Sequence, residues 1–172
     1  MGVSLLRKNL ITSINKIPKA IHIRKASLLD VKQIQSLATQ SVLRSCSCDY
    51  NKKQIFAWTF MMKDTARWKC AILNQFCVVA IMDGCIVGFG SLSRGKYLDF
   101  LYVHYLFQRQ GIASAVYEVL KKRSLQIGSK RINTCASKTA KNFFLSKQFT
   151  VKKINRRVFG GVAISNYAMR EN

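Results

Sequence analysis

The stretch Val103–Lys122, VHYLFQRQGIASAVYEVLKK, decides how the chain is read. Its first half is apolar and strand-like, its second half amphipathic and helix-like. A short basic turn, Gln108-Arg109-Gln110-Gly111, joins the two. Gly111 lets the backbone approach a ligand with no Cβ in the way, and the small Ala113 does nearly the same. A helix that begins there leaves three or four consecutive main-chain N–H groups without an intrahelical acceptor. With the positive end of the helix dipole behind them, those groups suit a phosphate or pyrophosphate. Gln108 and Arg109 add side-chain donors. The same spacing also fits an ordinary strand-to-helix corner. It matches neither the Gly-x-Gly-x-x-Gly dinucleotide fingerprint nor a phosphate loop ending in Gly-Lys-Ser/Thr, so a nucleotide hydrolase is disfavoured.

Working outward, the pattern is regular from Ile21 onward. IHIRKA alternates as a short strand, and Ser27 caps a helix, with Asp30 three residues on at capping-box spacing. Leu29, Ile34, Leu37, Ala38 and Val42 are expected on its buried face. A second helix fits NKKQIFAWTFMM, where Ile55, Trp58 and Met62 share a side, and a third, DTARWKCAIL, is capped by Asp64. FCVVAIM and CIVGFGSL read as strands around the hairpin signal Asp83-Gly84. Gly88 and Gly90 inside the second strand suggest a bulge or a close backbone approach. YLDFLYV is a further strand, and the helix after Gly111 is expected to run to about Gln126 and stop at Gly128. RINTCA is a strand, and Ser137 can cap the helix TAKNFFLSK. Strands around Phe149–Ile154 and Val162–Met169 close the chain. The order is β, α, α, α, β, β, β, α, β, α, β, β, an α/β (α+β) chain without internal repeats.

The 172 residues suit one domain able to bury its own core, and an apolar share of 49% argues against wholesale disorder. No run approaches the roughly 18 apolar residues of a spanning helix. Lys and Arg number 29 against 7 Asp and Glu, a formal charge of +22 that attracts polyanions: nucleic acid, acidic membranes or phosphorylated small molecules. Six cysteines occur without a Cys-x-x-Cys pair or an evident signal peptide. Cys46 and Cys48 have no nearby His cluster, so no metal site is expected. Reduced thiols in a cytoplasmic setting are expected. Residues 1–20 contain no acid, and Val3, Leu6, Leu10, Ile14 and Ile17 recur at helical spacing among Arg7, Lys8 and Lys16. They are read as a mobile basic extension, with residues 21–172 as the domain. The same pattern suits an anionic membrane surface or an organelle-targeting leader.

Taken together, the hairpin, the long strand, Gln108-Arg109-Gln110-Gly111-Ile112-Ala113, the helix, the next strand and ASKTAKNFFLSKQF resemble the GNAT family of acyl-CoA-dependent N-acetyltransferases. The resemblance covers about Ile21 to Arg170. The first motif matches Q/R-x-x-G-x-G/A, and Ser137–Phe149 is similar to the second. ARW, VVAI, ASKTAKNFF, NRR and SNYAMR are most similar to a bacterial, YafP-like branch. The resemblance implies a mixed, mostly antiparallel sheet splayed between its fourth and fifth strands and flanked by helices. It also implies acetyl-CoA as co-substrate, its pyrophosphate on the amides of Gly111, Ile112, Ala113 and Ser114, beside Gln108, Arg109 and Gln110. The pantetheine arm would lie along Leu101-Tyr102-Val103, and Ser137 and Asn142 would join the cofactor site.

For transfer to an amine, Asp99 is the only carboxylate on its strand, and strict alternation puts it on the side of Tyr97, Leu101 and Val103. It is expected to draw the amine proton directly or through water, and a structural carboxylate fits the same pattern. Where many relatives carry a tyrosine as general acid, this chain has Phe144, and Gln148 replaces a glycine. Tyr97 and Tyr167 are the substitutes proposed for the missing acid. Ser137 stands for an asparagine and Tyr105 for a proline. Tyr50, Gln54 and Trp58 are expected to line the acceptor pocket, although helix spacing alone would make Trp58 plain core. His22, His104 and Cys135 are read as structural. Three functions stay open: an N-acetyltransferase acting in a ternary complex, a basic nucleic-acid- or ribosome-associated binding module, and a membrane-peripheral protein. Self-association as a homodimer is open as well.

Overall fold

The computed structural model of the protein describes residues 20–172. The amphipathic pattern of the extension lies outside them. Among the described residues, β1 (His22–Lys25) leads through a 3-10 turn (Leu28–Asp30) into α1 (Val31–Ser45), α2 (Lys52–Met62) and α3 (Thr65–Asn74). β2 (Phe76–Met82), β3 (Cys85–Ser93) and β4 (Tyr97–Val103) form an antiparallel meander. A second 3-10 turn (Tyr105–Phe107) precedes α4 (Ile112–Gln126), β5 (Asn133–Ala136), α5 (Lys141–Ser146) and the hairpin of β6 (Phe149–Phe159) and β7 (Val162–Glu171). The sheet order is β1-β2-β3-β4-β5-β7-β6, and only β4 and β5 run parallel.

Local chemistry sets most boundaries. Asp83 and Gly84 adopt φ of +50° and +76°, as a tight hairpin requires. The Ser27 amide donates to Asp30 Oδ2 at 2.8 Å, and Arg24 of β1 donates to both carboxylate oxygens at 2.7 and 2.8 Å. The Arg24 guanidinium, aided by Ser27, holds the Asp30 carboxyl down at about 2 against its partial burial. Asn51 and Gln54 exchange side-chain-to-amide bonds of 3.0 and 3.1 Å at the start of α2, and Asp64 accepts from the Ala66 amide at 3.0 Å. Leu29 departs from its expected place. It is 92% exposed, because residues 28–30 form a 3-10 turn and the buried helical face begins at Val31.

The sheet has a core on each face. α1–α3 cover one, where Trp68 stacks on Phe100 at 5.0 Å and meets Phe89 edge-on. Its indole N–H donates to the Met62 carbonyl at 2.8 Å, so burying the ring leaves no donor unpaired. α4 and α5 cover the other face. Gly88 and Gly90 explain how closely α4 sits. A Cβ on Gly88 would stand 2.7 Å from Ile112 Cγ2, and one on Gly90 2.5 Å from Val116 Cγ1.

β4 carries the feature that alternation missed. Ser91 pairs with Phe100 and Leu92 with Leu98, so Asp99 is an extra, bulged residue. Leu98, Leu101 and Val103 pack toward α4, whereas Phe100 and Tyr102 pack toward α1–α3. The bulge resets the period, so Asp99 does not share a face with Leu101 and Val103 as strict alternation predicts.

Candidate active site

β4 and β5 touch only at Tyr97–Asn133 and Leu98–Thr134, then diverge. A cavity of about 350 Å³ fills the gap. Its lining includes Trp58, Asp99 and Cys135, the Leu101–Val103 segment, and the Gly111–Ser114 turn. Val103 lines this gap, and its carbonyl takes a long, 3.5 Å bond from Gln108 Nε2. Residues two apart on a strand point their main-chain groups the same way, so Leu101, also in the lining, points its own as Val103 does.

At the turn, Gly111 is left-handed at φ +82° and Arg109 at +63°, and the space where a Gly111 Cβ would project is open. The first α4 bond runs from the Ala115 amide to the Gly111 carbonyl at 2.9 Å. Among the described residues, the N–H groups of Gly111, Ile112, Ala113 and Ser114 have no protein acceptor. Consecutive free amides backed by a fifteen-residue helix make an anion-binding concavity. Arg109 is exposed beside it. Gln108 also lines the cavity, and its Nε2 donates to Ser45 Oγ at 2.7 Å, tying the turn to the end of α1. Gln110 reaches back to the Leu106 carbonyl at 3.4 Å.

On the far wall, Ser137 Oγ accepts from the Ala140 amide at 3.0 Å and closes the turn before α5, whose own N-cap is Ala140 rather than the expected Ser137. Asn142 is exposed on α5, outside the cavity lining. Phe144 is buried against Phe143 and Phe149, with ring centres 5.3 and 5.1 Å away, and its apolar ring lines the cavity.

Asp99 accepts from Gln75 Nε2 at 2.9 Å. Gln75 lies between α3 and β2, and as a lone polar residue at a helix end it carried no sequence signal. Burial pushes the Tyr97 phenol above its ordinary range, neighbouring Cys135 and Asp99 act the same way, and Arg157 opposes them. Tyr97 is therefore protonated at neutral pH. Tyr167 lies under the Lys141 ammonium at 4.7 Å, outside the cavity lining. Trp58 reaches the cavity, but Tyr50 and Gln54 dock α2 onto the β6–β7 hairpin. The Tyr50 hydroxyl donates to the Ser165 carbonyl at 3.0 Å and accepts from the Lys138 amide at 2.8 Å, and burial pushes its phenol up to about 12. Gln54 Nε2 donates to the Ala163 carbonyl at 2.7 Å.

A splayed sheet with free amides at the mouth of the gap defines a class of fold, and comparison with known proteins agrees. Residues 46–171 match the model of the acetyltransferase (GNAT) domain, and the chain belongs to the GNAT acetyltransferase family. It is 32% identical to the uncharacterized N-acetyltransferase YafP of Escherichia coli (strain K12) over 151 residues, 87% of this chain and 95% of that one. A GCN5-related N-acetyltransferase from Rhodopseudomonas palustris superposes with a TM-score of 0.86 at 23% identity, covering 91% of this chain and 98% of its own. The PaiA N-acetyltransferase of Thermoplasma acidophilum, solved in complex with coenzyme A, gives 0.74 at 18% identity, covering 89% and 99%. The N-acetyltransferase class, and the mixed sheet open between its fourth and fifth strands, stand as the motifs implied. No helix among the described residues is long and apolar enough to cross a membrane.

Proposed function

We propose that the protein moves an acetyl group from acetyl-CoA to a primary amine by direct attack, with both reactants bound together. One observation carries this reading: four main-chain N–H groups without acceptors border the same cavity as Asp99. Coenzyme A in the PaiA structure supports the choice of carrier. The residues present fit the carrier chemically, since Gly111 to Ser114 offer N–H groups to a pyrophosphate and Arg109 adds a cation. Leu101 and Val103 offer main-chain groups to a pantetheine arm, and Ser137 stands on the opposite wall.

When bound, the thioester supplies the acyl group: a C–N bond forms at the amine as the C–S bond breaks and CoA leaves as thiolate. Asp99 takes the proton that the amine must lose, directly or through water, and Gln75 holds the carboxylate in place. Gln75 Oε1 is buried without a donor among the described residues, an acceptor suited to a hydrogen of such a relay. Tyr97 returns a proton to the departing sulfur in place of the hydroxyl that Phe144 lacks; like Tyr167 it stands outside the cavity lining, but Asp99 of the lining is its neighbour. Holding both reactants oriented supplies much of the rate. Calorimetry with acetyl-CoA followed by thiol release over an amine panel tests the proposal. Micromolar binding with amine-dependent thiol release is expected, and absence of both would refute it.

A further inference from the structure

Two arginines outside the cavity lining act on neighbours of Asp99 in β4, Arg67 on Phe100 and Arg157 on Tyr97. Arg67 of α3 lies over the ring of Phe100, the residue after the Asp99 bulge, with Cζ 5.1 Å from the ring centre. Stacking on an aromatic face preorganises a guanidinium and leaves its N–H edge outward. Arg157 of β6 stands directly opposite Ile164. Opposed residues of an antiparallel pair share a face, and Ile164 belongs to the core that holds Phe100. Two residues earlier on that face, Asn155 Nδ2 donates to Cys135 Sγ at 3.6 Å, and Cys135 lines the cavity. The face of β6 that carries Arg157 thus meets the cavity wall at Asn155. The positive charge of Arg157 is felt at the Tyr97 hydroxyl, and that of Arg67 at Tyr102.

Neither arginine has an acidic partner among the described residues, and the chain's few acids are engaged elsewhere. Asp30 pairs with Arg24, Glu118 with Lys147 and Glu171 with Lys121. Asp49 accepts from Thr139, Asp64 caps α3, Asp99 accepts from Gln75, and Asp83 lies in the β2–β3 turn. Both guanidinium groups are exposed and, among the described residues, lack a carboxylate partner.

We infer that the acceptor carries an oxyanion close to the amine it presents, so that the amine meets Asp99 while a carboxylate or phosphate meets Arg67 and Arg157. This rests on the transferase reading above and narrows its substrate class to amines of mixed charge. Thiol release with two matched pairs of acceptors tests it: alanine against alaninamide, and O-phosphoethanolamine against ethanolamine. The first pair reads carboxylate recognition and the second phosphate recognition. Charge-assisted hydrogen bonds of this kind predict a preference of about tenfold to a hundredfold in kcat/KM for the anionic member of at least one pair. In the double variant Arg67→Gln/Arg157→Gln that ratio should collapse toward one, with each single variant showing part of the fall. Equal or faster turnover of the uncharged members would overturn the inference and leave the transferase reading standing. So would a ratio that survives in the double variant, or a loss of acetyl-CoA affinity that accounts for the whole effect. No thiol release with any acceptor would overturn both.

Discussion

Replacing Gly88 by alanine probes how α4 is seated on β3, and with it where the anion-binding amides stand. The new Cβ would lie 2.7 Å from Ile112 Cγ2 and 3.1 Å from Ala80 Cβ. Carbon atoms settle at about 3.5–4.0 Å, so the helix must yield by about 0.8 Å at its first residue. Neither neighbour can swing away, because isoleucine is stiff at χ1 and alanine has no rotamer to change. Overpacking of this kind costs about 1–3 kcal/mol. For a domain of this size the loss corresponds to a fall in Tm of about 2–12 °C. Ile112 also carries one of the four free amides, so the displacement should cost about one charge-assisted hydrogen bond, roughly tenfold to a hundredfold in CoA affinity. Thermal melts and calorimetry with CoA on the same preparation measure both. A variant that melts within a degree of the parent and binds CoA equally well would refute the close seating of α4.

Three further outcomes are expected. Gly111→Trp should abolish CoA binding by filling the open space at the turn, and its φ of +82° adds about 1–2 kcal/mol of local strain; calorimetry paired with a melt separates the two. Asp99→Asn should lower kcat by about 10²–10⁴ with a much smaller change in CoA affinity, and an unaltered pH–rate profile would remove Asp99 from proton transfer. The Asp30 carboxyl is held at about 2, below its ordinary 3.8, so its contribution is complete above about pH 4 and is lost as pH falls toward 2. With Arg24 40% exposed, solvent screening reduces that contribution to about 1–2 kcal/mol. Urea unfolding of Asp30→Asn should show this deficit at pH 7 and none near pH 2.

The elements most legible in the sequence were those whose signals are local. Asp83-Gly84, the Ser27–Asp30 pair, Asn51 with Gln54, and Asp64 each mark a boundary by a bond made within four residues. The free amides after Gly111 were legible for the same reason. What escaped depends on the partner strand. Nothing within YLDFLYV announces a bulge, since the extra residue is defined by the pairing of Ser91 and Leu92 across the ladder. β6 was expected to end near Ile154 but runs to Phe159. As an edge strand it exposes Lys152, Lys153, Ile154, Arg156, Arg157 and Val158, so no alternation marks it, and pairing with β7 alone sets its length. Gln108, Tyr50 and Gln54, expected at ligands by type and position, each also bridge two elements distant in sequence, which no local pattern announces. Gln75 became visible only once α3 and β4 were side by side.

The most direct measurement is a titration of the isotope-labelled protein with CoA, following backbone amides by NMR. The N–H groups of Gly111, Ile112, Ala113 and Ser114 should move furthest downfield and saturate together, as hydrogen bonds to a diphosphate require. Saturation with CoA that leaves those four signals in place would contradict the cradle and every step built on it.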